Sequence, residues 1–328
     1  MNASQNGMTY AIVVIGGSAG ALEPLQRVIG GLPETIPAAL FVTTHVSPDA
    51  VSAVPHILAR SGALFATHAI DGAPIAPGRI IVAPPGSHLY VERGVMRVTR
   101  GPKENGYRPS IDVLFRSAAE SYGPSVCGVL LSGALDDGVA GMVRIRECGG
   151  FTIAQDPAEA LFGDMPRNAV QADAVDAVSS AEDIATEIVR YSERVMEQGE
   201  VEAVGSRAKD ERSDGVPSVY ACPDCSGTLW ELDERDNLHF RCRTGHSYNA
   251  NSMVSLQRDS IEQSLWSAIR VLEERADLLH RLAGRARLRG DTRTSDRLDQ
   301  QAHNALEDSG KIRKALDNLL SQHQANVM

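Results

Sequence analysis

Between residues 10 and 197 the chain alternates short apolar runs of strand length with segments of helical periodicity. The runs are YAIVVIGG (10–17), AALFVTTH (38–45), RIIVAPPG (79–86), VCGVLLSG (126–133) and FTIAQD (151–156). Between them lie ALEPLQRVIGGL (21–32), DAVSAVPHILARSG (49–62), SIDVLFRSAAESYG (110–123) and GVAGMVRIRECGG (138–150), and AEDIATEIVRYSERVME (181–197) closes the series. Strands separated by helices pair most easily in parallel, so the order predicts an α/β fold with a doubly wound, mostly parallel sheet. One stretch departs from it. HLYVERGVMRVT (88–99) alternates on both sides of Arg93-Gly94, which predicts a hairpin turn there. Ser110 is the expected side-chain cap of helix 110–123, with Asp112 an acid in its first turn.

Composition changes after residue 197. QGEVEAVGSRAKDERSDGVPS (198–218) is polar and charged with almost no apolar anchor, and reads as a linker. A cysteine-containing segment follows at 219–250, then a region, 251–328, with helical spacing. In it Leu256, Ile261, Leu265, Ile269 and Leu272 share one face, GRARLRGDTRTSD interrupts, and Leu298, Leu306, Ile312, Leu316 and Leu319 resume. Spacings near three and four predict an antiparallel helical hairpin. The large apolar positions do not sustain a heptad, so internal packing is favoured, with a partner helix or self-association as the alternatives. The basic run RLAGRARLRG (281–290) is explained by a solvated helix end at least as well as by a ligand site.

Global properties exclude several function classes. A net charge of −10 is the wrong sign for a general nucleic-acid binder, which needs a basic surface. No apolar stretch reaches membrane-spanning length, and MNASQNGMTY has no basic residue ahead of its short apolar run, unlike a secretory signal. Five unevenly placed cysteines do not form a disulfide framework, and the cytoplasm is the expected compartment.

The turn GGSAGA after the first run admits several functions. A dinucleotide turn requires G-x-G-x-x-G, and Gly16, Gly17 and Gly20 are wrongly spaced. A P-loop requires a lysine, which is absent. The spacing does fit G-x-S-x-G, a strand–turn–helix that lifts Ser18 to the carboxyl edge of the sheet, or else a serine that only caps a helix. His45 ends the second run, and Asp136 and Asp137 follow VCGVLLSGAL, so an imidazole and a carboxylate should reach the same rim. A hydroxyl needs a base to take its proton, and the base needs an acid to fix its tautomer. His68 is the rival base. His56 and His88 read as structural, and Asp156 competes with Asp136 and Asp137 for the carboxylate; spacing does not choose among them.

VIGGSAGALEPL, FVTTHVSPD, GRIIVAPPGSHL, RPSIDVLFRSAA, GVLLSGALDDGVAGM and IAQDPAEALFGDMP, in this order, resemble the catalytic domain of the CheB family, the protein-glutamate methylesterases of bacterial chemotaxis. The resemblance runs from residue 10 to about residue 195, within a domain bounded at 1–197. It implies Ser18 as nucleophile, His45 as base and Asp137 as its orienting acid, no catalytic cofactor, and methyl-esterified glutamates of chemoreceptor-type proteins as substrate. It also implies glutamine deamidation in the same receptors. The backbone N–H groups of Ala19 and Ala134 are the candidate oxyanion donors. The best-known members carry a receiver domain ahead of the esterase, and none is expected ahead of residue 10 here. Their usual Ser-Thr-Gly-Gly reads Ser18-Ala19-Gly20-Ala21, and Gly-Met-Gly-Asn-Asp-Gly reads Gly133-Ala134-Leu135-Asp136-Asp137-Gly138. These differences bear on regulation, substrate fit and rate. A binding module that docks on receptor helices without turnover, or an esterase for another carboxyl ester, are the alternatives.

In the cysteine segment, Cys222-x2-Cys225 and Cys242-x3-His246 form two close pairs across an expected hairpin. That set suits tetrahedral zinc in a zinc-ribbon-like module, and four protein ligands would make the site structural. His239 is a competing fourth ligand; redox or merely buried thiols are the alternative. Cys127 and Cys148 read as packing residues.

Overall fold

The computed structural model describes residues 10–46, 52–198, 215–234 and 237–327. The chain divides into two compact units, residues 1–253 and 254–328. The first opens with β1 (Ala11–Gly17), α1 (Leu22–Gly30), β2 (Ala38–Thr44), α2 (Val54–Ser61), β3 (Phe65–His68) and β4 (Arg79–Val82). A hairpin of β5 (His88–Glu92) and β6 (Val95–Thr99) follows, then α3 (Ile111–Tyr122), β7 (Val126–Leu130), α4 (Val139–Glu147) and β8 (Phe151–Gln155). The layer ends with α5 (Asp164–Gln171), β9 (Ala177–Ser179) and α6 (Ala181–Gln198).

Seven strands pair in the order β3-β4-β2-β1-β7-β8-β9, every pair parallel. The doubly wound sheet expected from the alternation is present. Both faces of β1 are buried, which is why its sequence is a continuous apolar run. Val13 and Ile15 face Leu25 and Val28 of α1, Leu58 of α2 and Ile184 and Ile188 of α6. Ile12 and Val14 face the opposite layer, with Leu114 and Phe115 of α3, Met142 of α4 and Met165 of α5. The β5–β6 hairpin pairs Glu92 with Val95 and so turns at Arg93-Gly94 as expected.

Several local expectations need correcting. Helix 49–62 shortens to Val54–Ser61, with Pro55 in its first turn and residues 47–51 outside the described set. α5 and β9 carry no periodicity that marked them. Ser110 does occupy the N-cap position of α3, yet its hydroxyl does not cap the helix. It donates instead to Asp137 Oδ1 at 2.8 Å, and the Asp137 carboxylate accepts the first N–H groups of the helix. A full charge at a helix start outcompetes a neutral hydroxyl for those donors.

Of the stretch read as a linker, residues 199–214 lie outside the described residues, and Val216 already begins a strand. β10 (Val216–Ala221), β11 (Thr228–Glu234), β12 (Asn237–Cys242) and β13 (Ser247–Asn249) form an antiparallel sheet in chain order. α7 (Ala250–Leu288) follows, its first turn belonging to the first unit.

The second unit pairs the rest of α7 with α8 (Thr292–Val327). Arg258 donates to Leu319 O, Arg313 to Glu273 and Arg287 to Asp299, so the two helices run antiparallel. The expected seam is corrected here. Ile261 and Leu306 are exposed, whereas Ile269, Ala276, Ala283, Ala286, Ala302, Ala305 and Leu316 are buried. With Leu272 and Leu279 partly buried, the positions 269, 272, 276, 279, 283 and 286 do keep a heptad. Large apolar residues alone hid it, because half the seam is alanine.

Candidate active site and metal centre

β1 is flanked by β2 on one side and β7 on the other, so the chain changes direction at β1 and leaves a crevice beyond its carboxyl end. Ser18 follows β1 directly, His45 follows β2, and Asp137 lies in the loop from β7 to α4. The serine turn is anchored by Ser18 N–H to Ser132 O at 2.9 Å. Gly20 sits at φ +72°, and a Cβ there would lie 2.8 Å from Ser132 Oγ, so both backbone and space demand glycine.

The three predicted groups meet. His45 Nδ1 lies 3.0 Å from Ser18 Oγ, and His45 Nε2 lies 2.8 Å from Asp137 Oδ2. The ring is used in the reverse sense to the serine-protease triad, where Nε2 faces the serine. Tyr107 stacks on the imidazole at 3.6 Å between ring centres and 6° between planes, which fixes the ring plane. Asp137 is 1% exposed but well supplied with donors. Oδ1 accepts from Asn105 Nδ2 at 2.9 Å, from Ser110 Oγ and from the Asp112 N–H; Oδ2 accepts from His45 and from the Ile111 N–H. Burial would raise its carboxyl, yet the hydrogen bond and charge of His45, the Ile111 N–H and the Asn105 amide offset this and hold it at about 2. An ionised Asp137 assigns the proton to Nε2 and leaves the Nδ1 lone pair toward the serine hydroxyl.

The competing residues go elsewhere. His68 faces the carbonyls of Val82 and Ser52 at 3.4 Å each, and His56 is exposed on α2. His88 is buried, with Nε2 2.8 Å from Pro102 O and Nδ1 accepting the Ser110 N–H; burial lowers its pKa. Asp156 accepts the Ala158 N–H two residues on, and Asp136 accepts the Ser252 hydroxyl at 2.7 Å. Asp112 is a first-turn residue by position, but its buried carboxyl accepts the Gly141 N–H and the Asn105 amide. Burial and then the nearby Asp137 push it well above the usual carboxylate range. Among the described residues, the N–H groups of Ala19 and Ala134 find no acceptor, while those of the residues just before them, Ser18 and Gly133, bond Ser132 O and Phe162 O. Cys127 is fully buried in the strand layer, and Cys148 packs at the end of α4.

The second cluster gathers Cys222, Cys225, Cys242 and His246, whose ligand atoms all lie within 4.8 Å of one another. Two backbone turns present them. Ser226 N–H bonds Cys222 O and Cys222 N–H bonds Gly227 O in one; Gly245 N–H bonds Cys242 O and Cys242 N–H bonds His246 O in the other. Zinc–sulfur bonds of about 2.3 Å and zinc–nitrogen bonds of about 2.0 Å imply tetrahedral edges of roughly 3.8 Å for S···S and 3.5 Å for S···N. The measured edges are 3.7 Å for Cys225–Cys242, 3.6 Å for Cys222–His246 and 3.4 Å for Cys242–His246. The residues therefore fit a zinc-sized ion. His239 is outside the cluster, its Nδ1 3.1 Å from Asn249 Oδ1.

Asn105 and Tyr107 escaped the sequence reading. They lie in GPKENGYRPS, an irregular loop without periodicity, and only the neighbouring RPSIDVLF segment marked the region.

A family model described as CheB methylesterase matches residues 13–188. Over 174 residues the chain is 41% identical to protein-glutamate methylesterase/protein-glutamine glutaminase 2 of Anaeromyxobacter dehalogenans, covering 53% of this chain and 51% of that protein. Over 162 residues it is 40% identical to protein-glutamate methylesterase FrzG of Myxococcus xanthus, covering 49% and 48%. The chain thus spans about half the length of these curated relatives. It is also similar to the crystal structure of the Thermotoga maritima CheB methylesterase catalytic domain, with TM-score 0.53 and 29% identity over 55% of this chain and 97% of that one.

Proposed function

This chain belongs to the CheB methylesterase family, and from that premise we propose that it hydrolyses methyl esters of glutamate side chains on chemoreceptor-type proteins. Ser18 Oγ attacks the ester carbonyl carbon while His45 Nδ1 takes its proton. The tetrahedral oxyanion is received by the Ala19 and Ala134 N–H groups. Collapse expels methoxide, which leaves as methanol with the proton from His45, and a glutamyl ester on Ser18 remains. Water, deprotonated by the same Nδ1, then frees the glutamate carboxylate and the serine. Asp137 stays ionised throughout, holding Nε2–H and stabilising the imidazolium. Glutamine side chains enter the same sequence with ammonia as leaving group.

The observation that carries this reading is the single imidazole spanning Ser18 and Asp137 at 3.0 and 2.8 Å. Methanol release from a methylated receptor fragment is expected to fall by about 10⁴ or more in Ser18→Ala. Release at the wild-type rate would remove Ser18 from the mechanism.

The four-residue cluster supports a structural Zn²⁺, since all four positions are filled by protein and none is left for substrate. One zinc per chain is expected in protein purified without chelator. A cytoplasmic setting, where thiols stay reduced, agrees with this ligand set. Among the described residues no helix is long and apolar enough to cross a membrane.

A further inference from the structure

The strand that leaves the metal cluster is hydrogen-bonded into the shell of Asp137. Ser247, the residue after ligand His246, accepts the Asn105 N–H at 2.8 Å and makes a parallel bridge with Glu104. Two residues on, the Asn249 N–H donates to Asn105 Oδ1 at 2.9 Å. Asn105 then spends its own amide on two acids, Nδ2 reaching Asp112 Oδ2 at 2.8 Å and Asp137 Oδ1 at 2.9 Å. At the other ligand pair, Asp224 lies between Cys222 and Cys225 and meets Lys103 Nζ at 3.3 Å. The first turn of α7 adds Ser252 Oγ to Asp136 at 2.7 Å.

Asn105 is 1% exposed, and each end of its amide has neighbours of one kind only. The Asn249 N–H is a donor and requires the carbonyl oxygen to face it; the acids are acceptors and require the amino group. A flipped amide would set an oxygen against two carboxyl groups. The module and the two acids therefore demand the same orientation of Asn105, and the Asn249 N–H is the module's share in holding it. Asn105 also holds φ +53°, a left-handed conformation that asparagine tolerates but does not favour without such bonds.

We propose that the cysteine–histidine module is a metal-dependent latch on the carboxylate that orients His45, with Asn105 as the positioning residue between them. Metal at Cys222, Cys225, Cys242 and His246 draws the two backbone turns together and keeps β13 in its register against residues 103–105. That register supplies the Asn249 N–H, which holds Asn105 against Asp137. β13 is three residues long, and beyond its pairing with β12 and the buried Tyr248 its small module has little to hold it, so a bound metal would add a large share of the constraint on its position. The inference rests on Ser18, His45 and Asp137 being the reacting unit.

The test compares the full chain with zinc, the same chain stripped by a chelator, and Asn105→Ala with zinc. Hydrogen exchange is read at the Ile111 and Asp112 amides, which donate to Asp137, with β1 and β7 as the control for an intact α/β layer. Stripping zinc is expected to speed exchange at Ile111 and Asp112, and to lower kcat for methanol release about tenfold while KM stays within about twofold. Asn105→Ala is expected to keep its zinc and reproduce the kcat loss, and stripping it is expected to add little further. Stripped protein that loses protection across 215–249 yet keeps it at Ile111 and Asp112, with kcat unchanged, overturns the latch. The exchange readout decides the latch even if Ser18→Ala still releases methanol, since that outcome fails the enzyme reading alone.

Discussion

Beneath Ser18 and His45 lie Ile12, Val13, Val14, Ile15 and Phe41, each at most 1% exposed, whereas the described residues of the cysteine–histidine module bury Leu229, Phe240, Tyr248 and two of the thiols. The α/β layer can hold a catalytic group in place by packing, because seven strands and six helices close two apolar faces around it. The module has a far smaller apolar reserve, and on the reading proposed above a bound metal would supply the rest of its order. A residue such as Asn105, buried in one region and bonded to the other, is subject to both kinds of order.

Metal removal should break this comparison most visibly. Zinc binding to small domains contributes on the order of 10 kcal/mol of folding free energy. Chelation is therefore expected to abolish hydrogen-exchange protection across β10 to β13 while β1, β2 and β7 keep theirs. Equal loss in both regions would mean that they do not differ in this way. Next in size is Phe115→Ala, which opens a cavity between α3 and the sheet where the ring is fully buried. A loss of about 3–5 kcal/mol in denaturant unfolding is expected with zinc retained. A loss under about 1 kcal/mol would argue that packing is not what secures the layer.

The smallest effect concerns pH. Asp137 is held at about 2 against an ordinary 3.8. A depressed carboxyl stabilises the fold fully above its unfolded value and stops doing so as pH falls through the folded one. Melting temperatures of wild type and Asp137→Asn should therefore converge between about pH 4 and pH 2. A constant difference across that window would mean that the charge of Asp137 is not what its neighbours stabilise.

The alternation of apolar runs made the sheet and its helices legible, and the resemblance led from those runs to Ser18, His45 and Asp137. Residues of irregular structure were illegible. Asn105 and Tyr107 sit in a loop whose conformation depends on partners far along the chain, so neither periodicity nor spacing marks them. Ser110 was misread because its local role as a helix cap yields to a distant carboxylate. The alanine seam of the hairpin was missed for a related reason: an alanine is buried or exposed according to what packs over it, and its small side chain gives little hydrophobic signal of its own.

By itself the sequence determined the strands and helices whose local periodicity is strong, and with them the side chains at the ends of β1, β2 and β7. Only the tertiary structure decided which nitrogen of His45 meets the serine, what surrounds Asp137, and that β13 reaches into that shell. Those outcomes depend on hydrogen bonds between residues remote in the chain, and such bonds form only once packing has brought the segments together.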